Sequence, residues 1–244
     1  MRDLPALTTP REIVGKFTVI IPTRNRPAFL AEAVASVLMQ KHSDFELLIV
    51  NDGDSEISGF SDSRVRVLNN SGRGAVPARN LGLAETNGDF IAFLDDDDFW
   101  IDELHLARAN AALRDMAEFY FADGSMLFPD GSKRLFSRQA DKSSLMVDNT
   151  ILISTVCYRR DLHKMLGMFD EALPYYWDWD WYLRVANADY RISRSNHVAA
   201  AIRVHPHNMS GDENRGARQA NLDLLVAKHG MGKIILKNHL DFVR

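Results

Sequence analysis

The sequence predicts an α/β fold: a mostly parallel central sheet with helices on both faces. Short, mostly apolar runs rich in β-branched residues alternate with stretches of helical periodicity through the first 100 residues. Runs this apolar are typical of parallel strands that are buried on both faces. The predicted strands are 17–22, 45–51, 64–68 and 89–95, and the predicted helices between them are 26–40 and 75–86.

Local signals set the boundaries of these elements. The first apolar run ends at Pro22, and Pro27 suits the first turn of the helix that follows. Asp52-Gly53 is a turn signal after the second strand, and Asn87-Gly88 ends the second helix. Residues 17–100 therefore resemble a nucleotide-binding α/β half.

After residue 100 the pattern is mixed. The predicted elements are a helix near 101–115, strands near 117–122, 126–128 and 151–158, a polar loop at 138–149, a last strand at 197–204, and helical segments near 216–229 and 232–243. No repeat or linker separates the parts, so we expect a single domain over 1–244. It would comprise a half at about 17–100, a small mixed half at about 101–210 and a C-terminal helical segment at about 211–244.

Composition excludes several classes of protein. With 46% hydrophobic and 25% charged residues, the 244-residue chain has the usage of an ordinary soluble globular protein. With a net charge of −4, the chain lacks the excess of basic residues that is typical of nucleic-acid binders, so we expect no nucleic-acid partner. The single cysteine, Cys157, excludes an intramolecular disulfide and fits a reducing compartment. Since no apolar run approaches the roughly 20 residues of a membrane span, we expect a cytoplasmic protein.

Polar residues follow three of the predicted strands, where open α/β sheets bind their ligands. They are Pro22, Thr23, Arg24 and Asn25 after the first strand, Asn51, Asp52 and Asp54 at the second, and Asp95, Asp96, Asp97 and Asp98 after the fourth. Because these strands are predicted to be parallel, we expect the three groups to meet at one edge of the sheet.

The four consecutive aspartates repel one another unless a cation lies among them. Asp95 and Asp97 alternate along an extended segment and can face the same side, and their oxygens suit Mg²⁺ or Mn²⁺ shared with a phosphate. The alternative is a solvated helix N-terminus, which aspartates also favour, with Phe99-Trp100 beginning the helix.

Three segments in order carry a resemblance to a known family. Residues 19–40, VIIPTRNRPAFLAEAVASVLMQ, precede FELLIVNDGDS at 45–55 and PARNLGLAETNGDFIAFLDDDDFW at 77–100. Their order and spacing resemble the family 2 glycosyltransferases, and the resemblance covers roughly 17–210. It implies the GT-A fold, with a Rossmann-like sheet beside a small acceptor-binding half. It also implies inverting, metal-dependent transfer of a hexose from a nucleoside diphosphate sugar.

The resemblance places eight residues at the donor nucleotide. They are Pro22, Thr23, Arg24, Asn25, Asp52, Arg79, Asp95 and Asp96. Asp52 would hydrogen-bond the base and Asp95 would lie nearer the ribose. Asn51 departs from the family, which more often has aspartate there, and this leaves its role open.

The resemblance also implies the metal ligands. Asp97 would bind Mn²⁺ or Mg²⁺ directly, and His205, in the late histidine motif at 203–210, would be a further metal ligand or a diphosphate contact. A structural hydrogen bond is the alternative for His205. His207 is a weaker candidate in the same motif.

Residues 166–187 resemble the acceptor-side segment of the family, and Asp178 falls on its catalytic aspartate. An inverting transfer needs such a base to take the proton of the acceptor hydroxyl. Trp177 stands where the family has glutamate. The alternative for Asp178, at the start of a predicted helix, is an N-cap.

Three other acidic residues in this segment have structural explanations. Asp180 lies two residues from Asp178, so on a helix it points about 200° away, and it is spaced to form a surface ion pair with Arg184. Asp170 and Glu171 are a second candidate pair for the base, but because they follow an apolar run and precede Pro174, a turn or cap is the preferred interpretation.

Aromatic residues and the C-terminus leave two further alternatives open. Six aromatic side chains could form a sugar-binding platform or pack on the sheet: Tyr175, Tyr176, Trp177, Trp179, Trp181 and Tyr182. The stretch 221–244 could lie on a cytoplasmic membrane surface, or close the core or a homodimer interface, which we prefer.

The predicted function is transfer from a nucleoside diphosphate sugar, with a UDP-sugar as the expected donor. The acceptor stays open among a glycan, a lipid-linked sugar, a protein and a small metabolite. The alternatives are a non-catalytic nucleotide-sugar or carbohydrate-binding module of the same fold, and a nucleotidyltransferase. The latter is disfavoured because residues 22–27 contain no glycine.

Overall fold

The computed structural model describes residues 15–206, 208, 209 and 211–243. Within them, nine strands form one sheet and seven α-helices pack around it. The strands are β1 (Phe17–Thr23), β2 (Phe45–Asn51), β3 (Val65–Asn69), β4 (Phe90–Phe93), β5 (Phe99–Trp100), β6 (Phe119–Leu127), β7 (Lys133–Phe136), β8 (Val156–Arg159) and β9 (Ile192–Arg203). The helices are α1 (Pro27–Leu38), α2 (Ala75–Ala84), α3 (His105–Arg114), α4 (Lys142–Leu145), α5 (Leu162–Leu166), α6 (Trp177–Asn187) and α7 (Arg215–His229).

The sheet has the order β3-β2-β1-β4-β8-β6-β9-β5, with β7 beside β6. The first four strands in this order are parallel, β8 is antiparallel to both of its neighbours, and β6 and β9 are parallel. The predicted α/β class is therefore confirmed, with a parallel first half and a mixed second half.

Helices cover both faces because alternate residues of the buried strands point to opposite sides. On one face Phe17, Val19 and Ile21 pack against α1 and α3. On the other face Ile20 belongs to a core that includes side chains of α2, α6 and α7. Of the alternatives for the C-terminal stretch, packing on the core agrees with α7, whose Leu222 and Leu225 are buried in this core.

The structure corrects the prediction around residue 100. Phe99 and Trp100 do not begin a helix but form β5, which pairs with Ala201 and Ala200 of β9. The helix starts at His105. Trp100 is buried, and its ring nitrogen donates to the carbonyl of Ser154 at 2.8 Å, so tertiary contacts decide its conformation.

The predicted second half differs from the structure in further places. The two short strands expected between 117 and 128 are one strand, β6, and the last strand begins earlier, at Ile192. The expected polar loop contains the short helix α4. Neither β7 nor α5 was predicted from the sequence.

The helix expected at 232–243 is wrong, because α7 ends at His229 with Gly230 as its C-cap in the left-handed region (φ 61°), and no α-helix follows in the described residues. Residues 231–243, which we call the C-terminal strap, contain only a 3₁₀ turn at His239–Phe242. Ile234 and Leu236 pack on the core whereas Ile235 is 70% exposed, the alternation of an extended chain. In the described part of the chain, no helix has both the length and the apolar character needed to cross a bilayer.

At Gly88, the turn before β4 comes close to the backbone at the start of β1. A β-carbon there would lie 2.5 Å from the backbone nitrogen of Thr18 and 2.7 Å from the carbonyl oxygen of Lys16. We expect Gly88→Ala to destabilise the fold by about 1–3 kcal/mol, which lowers Tm by about 2–4 °C per kcal/mol in thermal unfolding. Gly216→Ala is the control, because a β-carbon there meets nothing within 4 Å. An unchanged Tm for Gly88→Ala would contradict this packing.

Candidate active site

A cavity of about 450 Å³ lies at the edge of the sheet where β1, β2 and β4 end. Nine of the residues predicted for the site line it: Pro22, Thr23, Arg24, Asp52, Arg79, Asp95, Asp96, Asp97 and Asp178. Asn25 and His205 are not among its lining residues, although His205 contacts Asp97. His207 lies outside the described residues. The structure thus brings residues of both halves of the sequence to one cavity.

Asp52 follows β2 and is held by the loop before α2. Its Oδ1 accepts hydrogen bonds from the Asn70 side-chain amide at 2.5 Å and from the Gly74 backbone N–H at 3.0 Å. Its Oδ2 lies 3.7 Å from the Arg24 guanidinium, which is 61% exposed. One oxygen of Asp52 is therefore fixed by the fold. The other lies beside the long, exposed side chain of Arg24, which also lines the cavity.

Asn51 and Asn25 stabilise the loop that follows β2. The Asn51 side-chain oxygen accepts from the Gly53 N–H at 2.9 Å, and its amide donates to the Ser55 carbonyl at 2.8 Å. The Asn25 oxygen accepts from the Asp54 N–H at 3.2 Å. The role left open for Asn51 is thus structural, because a neutral amide can both donate and accept where a carboxylate could only accept.

Asp95 and Asp96 are each paired with groups from the first half of the chain. Asp95 accepts a hydrogen bond from the Arg79 guanidinium, which itself stacks on the ring of Trp177 at 4.4 Å. Asp96 accepts from the Thr23 hydroxyl at 2.7 Å, and burial raises the pKa of Asp96 to about 6. The ring of Trp177, at the position of the family's glutamate, therefore packs against the guanidinium of Arg79.

Asp97 lies between two basic side chains. Its Oδ2 is 2.6 Å from the Arg26 guanidinium and 2.9 Å from Nε2 of His205. Arg26 also reaches Asp96, at 3.2 Å. Arginines thus supply the positive charge that the aspartate run requires, and electrostatic repulsion alone does not demand a metal ion.

The aspartate run nevertheless has a donor set that suits a hard cation. Asp95, Asp97 and Asp98 each offer a carboxylate oxygen, and these atoms lie within 4.8 Å of one another. Asp98 is otherwise engaged, since its oxygens accept from the Ser154 hydroxyl at 2.6 Å and the Arg203 N–H at 3.0 Å. Burial raises the pKa of Asp98 well above its usual value. The donor set for a Mg²⁺ or Mn²⁺ ion is therefore this cluster of three aspartates, and Nε2 of His205 lies next to it, 2.9 Å from Asp97.

Asp178 is the second residue of α6 and is 9% exposed. The N-cap of this helix is Tyr176, so Asp178 is not the cap. Its Oδ2 accepts from the Asn149 amide at 3.0 Å, and its Oδ1 accepts from the Trp179 N–H at 2.8 Å. Burial outweighs these two hydrogen bonds and raises the pKa of Asp178 to about 6. Such a carboxyl can change its protonation state near neutral pH.

The remaining acidic residues of this segment are structural. Asp180 forms the expected i, i+4 pair with Arg184 at 2.9 Å, but the pair is not at the surface, because Asp180 is fully buried. Its other oxygen lies 2.8 Å from both Lys228 and His229 of α7. Asp170 accepts from the N–H of Ala172 at 3.0 Å, as expected for a turn.

The aromatic cluster serves mainly for packing. Trp181 and Tyr182 are at most 1% exposed and belong to the core. Four others line the cavity while being largely buried themselves: Tyr175, Tyr176, Trp177 and Trp179. The ring nitrogen of Trp179 donates to the Leu145 carbonyl at 2.7 Å. Packing on the core is therefore confirmed for Trp181 and Tyr182, and a sugar-binding platform stays a prediction for the four residues that line the cavity.

Several cavity residues were missed by the sequence reasoning. They include Asn149, Asn208, Arg218, Lys237, Asn238 and His239. Asn208 lies within the histidine motif at 203–210, but no motif marks the others, which lie in a polar loop, in α7 and in the C-terminal strap. Only the tertiary fold brings them to the cavity.

The sequence-family model named glycosyl transferase family 2 matches residues 18–144 of this chain. The chain belongs to this family. An uncharacterized glycosyltransferase, YwdF of Bacillus subtilis strain 168, is 34% identical to this chain over an alignment of 241 residues. The alignment covers 91% of this chain and 87% of that protein. The family 2 resemblance found in the sequence is confirmed, and the protein is a glycosyltransferase.

Solved structures confirm the GT-A fold of this family 2 glycosyltransferase. S. aureus TarS 1–349 in complex with UDP-GlcNAc aligns with a TM-score of 0.67 at 19% identity, over 87% of this chain and 66% of that one. The mannosyltransferase PcManGT from Pyrobaculum calidifontis, in complex with GDP-Man and Mn²⁺, aligns with a TM-score of 0.63 at 19% identity, over 90% of this chain and 65% of that one. The chain thus spans about two thirds of each solved chain.

Proposed function

We propose that this glycosyltransferase transfers a hexose from a UDP-sugar to an acceptor hydroxyl with inversion, using Mn²⁺ or Mg²⁺. The observation that carries the proposal is the single cavity in which Asp52, Asp95 and Asp97 meet Asp178, a buried carboxyl whose pKa is raised to about 6. The first three residues would bind the donor, and Asp178 would act on the acceptor.

On the donor side, Asp52 is proposed to accept a hydrogen bond from the base, with its Oδ1 already fixed by Asn70 and Gly74. A uracil N–H is a donor that a carboxylate oxygen can accept. Arg24 beside Asp52 and Arg79 beside Asp95 would offset the charge of the diphosphate. TarS, which binds UDP-GlcNAc in its crystal structure, supports a donor of this chemistry.

Asp95, Asp97 and His205 are proposed to hold the metal ion. When bound, the ion acts as a Lewis acid that stabilises the negative charge developing on the departing diphosphate. The contact of His205 with Asp97 at 2.9 Å supports this assignment, and PcManGT, solved in complex with GDP-Man and Mn²⁺, supports a metal in this fold. Arg26 would have to leave Asp97 for the ion to bind.

Arg26→Gln tests this competition. Without metal, we expect Arg26→Gln to lower Tm, because Asp96 and Asp97 lose their shared cation. With Mn²⁺, the rise in Tm should be larger than in the unaltered protein, since no guanidinium competes for Asp97. Arg24→Gln is the control, because Arg24 contacts only Asp52 at 3.7 Å among these carboxylates. A smaller Mn²⁺ response in Arg26→Gln would contradict the competition.

Asp178 is proposed to take the proton from the acceptor hydroxyl as that oxygen attacks the sugar carbon opposite the diphosphate. A base whose pKa lies near the working pH is best suited to this task. The hydrogen bonds from Asn149 and Trp179 would orient the carboxylate of Asp178 and stabilise its charged form. A base on the face opposite the leaving group implies inversion.

The proposed base predicts an acid limb in the pH dependence of kcat/KM. Asp178 must be deprotonated to act, so activity should be full above about pH 7 and fall towards tenfold per pH unit below its pKa of about 6. Since the pKa of Asp96 is also raised to about 6, nucleotide affinity is measured over the same pH range to separate the two groups. A flat profile from pH 5 to pH 8 would contradict a basic role for Asp178.

Donor turnover tests the function itself. The protein is incubated with UDP-glucose, UDP-N-acetylglucosamine or GDP-mannose and Mn²⁺, and release of the nucleoside diphosphate is measured as the sugar is transferred to water or to added sugar acceptors. We expect release from a UDP-sugar, with a product of inverted anomeric configuration by proton NMR. Nucleotide binding without turnover of any donor would favour the non-catalytic module, and release of pyrophosphate from UTP with a sugar phosphate would favour a nucleotidyltransferase.

A further inference from the structure

We propose that Asn149 is a positioning residue for Asp178, and that the C-terminal strap, residues 231–243, keeps Asn149 in place through an ion pair between Lys237 and Asp148. The inference rests on the proposed role of Asp178 and deepens it. It gives a function to a segment that no sequence motif connects with the cavity.

Asn149 supplies one of the two hydrogen bonds that fix the Asp178 carboxylate. The N–H of Trp179 binds Oδ1 from within the same helix, and the Asn149 amide binds Oδ2 at 3.0 Å from a loop 29 residues earlier in the chain. The side-chain oxygen of Asn149 is buried and has no hydrogen-bond partner in the described part of the chain. The direction of this amide therefore depends on where its loop is held.

Both neighbours of Asn149 are anchored to other segments. The Thr150 hydroxyl donates to the Gln139 carbonyl at 3.0 Å. On the other side, Oδ1 of Asp148 lies 2.7 Å from the Lys237 ammonium. These contacts fix the loop at the two positions that flank Asn149.

The strap that carries Lys237 is itself fixed on the fold. The buried Arg218 of α7 donates to the Lys237 carbonyl at 2.5 Å, and Arg138 donates to the Phe242 carbonyl at 2.5 Å. The ring of Phe242 contacts Phe136 at 6.1 Å between centroids and lies 5.3 Å from the Lys237 ammonium. Lys237 is thus held from both its backbone and its side chain.

The ion pair is better explained by positioning than by stability. Its partners keep 35% and 22% of their side-chain exposure, and pairs of this kind contribute little to folding free energy. The charged or titratable groups that act on the carboxylate of Asp178 are Arg79, Asp95, Tyr176 and Tyr182. None of these four lies in the strap, and the contacts that lead from the strap towards Asp178 run from Lys237 to Asp148 and from the adjacent Asn149 to Asp178.

The test compares Asn149→Ala, Lys237→Met and Lys237→Arg with Lys41→Met. Lys41 is the matched control because it forms a lysine–carboxylate pair with Glu103, at 3.1 Å, and does not line the cavity. The first readout is the pKa of Asp178 in the ligand-free protein, from carboxyl ¹³C NMR, with its signal assigned by its loss in Asp178→Asn. The second is kcat for UDP release from UDP-glucose and UDP-N-acetylglucosamine. UDP affinity and Tm are measured alongside.

Losing the Asn149 hydrogen bond should raise the pKa of Asp178 from about 6 to about 7, because a bond to the charged form is removed. In Asn149→Ala, kcat should fall by about tenfold or more with UDP affinity unchanged. Lys237→Met should move both readouts in the same direction by a smaller amount, with Tm nearly unchanged. Lys237→Arg should restore them, and Lys41→Met should leave them unaltered.

An unchanged pKa of Asp178 in Asn149→Ala would overturn the inference, whether or not the donor is active. An effect of Asn149→Ala with none of Lys237→Met would overturn the role of the strap. Failure of the proposed function is a separate outcome, because Asp178→Asn would then retain turnover while the NMR titration still reports the effect of Asn149 and Lys237 on the carboxyl.

Discussion

Asp178→Asn is expected to lower the rate of sugar transfer by about 10²–10⁴-fold while leaving nucleotide affinity unchanged. Asparagine matches the carboxylate in size and can still accept a hydrogen bond from Trp179, but it cannot take a proton. The donor contacts proposed for Asp52 and Asp95 lie on other elements, and so should persist. Release of UDP from the active sugar nucleotide gives the rate, and titration with UDP and Mn²⁺ gives the affinity.

Asp170→Asn is the matched control for this variant. Asp170 precedes α6 in the same segment, but its carboxylate stabilises a turn and pairs with Lys228 at 2.6 Å. It should keep normal transfer. Transfer by Asp178→Asn at the rate of the control would show that another group accepts the proton. Absence of turnover in the unaltered protein with every donor would leave the binding module as the better description.

Asp97→Asn is expected to abolish the dependence of transfer on Mn²⁺ and to lower the rate by about 10²–10³-fold. The loss of a charged ligand removes several kcal/mol of stabilisation from the departing diphosphate. The same variant should show no rise in Tm with Mn²⁺. Neutralising Asp97 also removes the partner of Arg26 and His205, so Tm is measured without metal to separate the two effects.

Asp54→Asn is the control for Asp97→Asn, since Asp54 is an exposed aspartate in the loop after β2 that does not line the cavity. It should keep the full response to Mn²⁺. A normal Mn²⁺ response in Asp97→Asn would exclude Asp97 as a ligand and shift attention to Asp95 and Asp98, the other carboxylates of the cluster.

The first half of the fold was predictable because its signals are local. In β1 the apolar run itself specifies a strand buried on both faces, and Pro27 at the start of α1 marks the helix N-terminus. Phe99 and Trp100 were wrongly placed because what makes them a strand is pairing with β9, about 100 residues later in the chain. The strap was wrongly predicted as helical because its apolar residues suggested a helix face, whereas Ile234 and Leu236 pack on the core from alternate positions of an extended chain.

The candidate site shows the same division. The positions of Asp52, Asp95 and Asp178 could be expected from strand ends and from the family resemblance. The contacts around Asp178 could not, because Asn149 and Lys237 occur in segments without a motif, and only the folded chain brings Asn149 to Asp178 and Lys237 to Asp148. The charge argument for a metal overlooked arginines such as Arg26, whose contact with Asp97 depends on the turn between β1 and α1.

Thermal unfolding with UDP, TDP, GDP and CDP, each with and without Mn²⁺, tests most directly whether the cavity is a metal-dependent donor site. A ligand at about 100 times its Kd adds about 2.7 kcal/mol, and each kcal/mol raises Tm by about 2–4 °C for a chain of this size. We expect UDP to raise Tm only when Mn²⁺ is present. A folded protein whose Tm responds to none of the four diphosphates with Mn²⁺ would contradict the account.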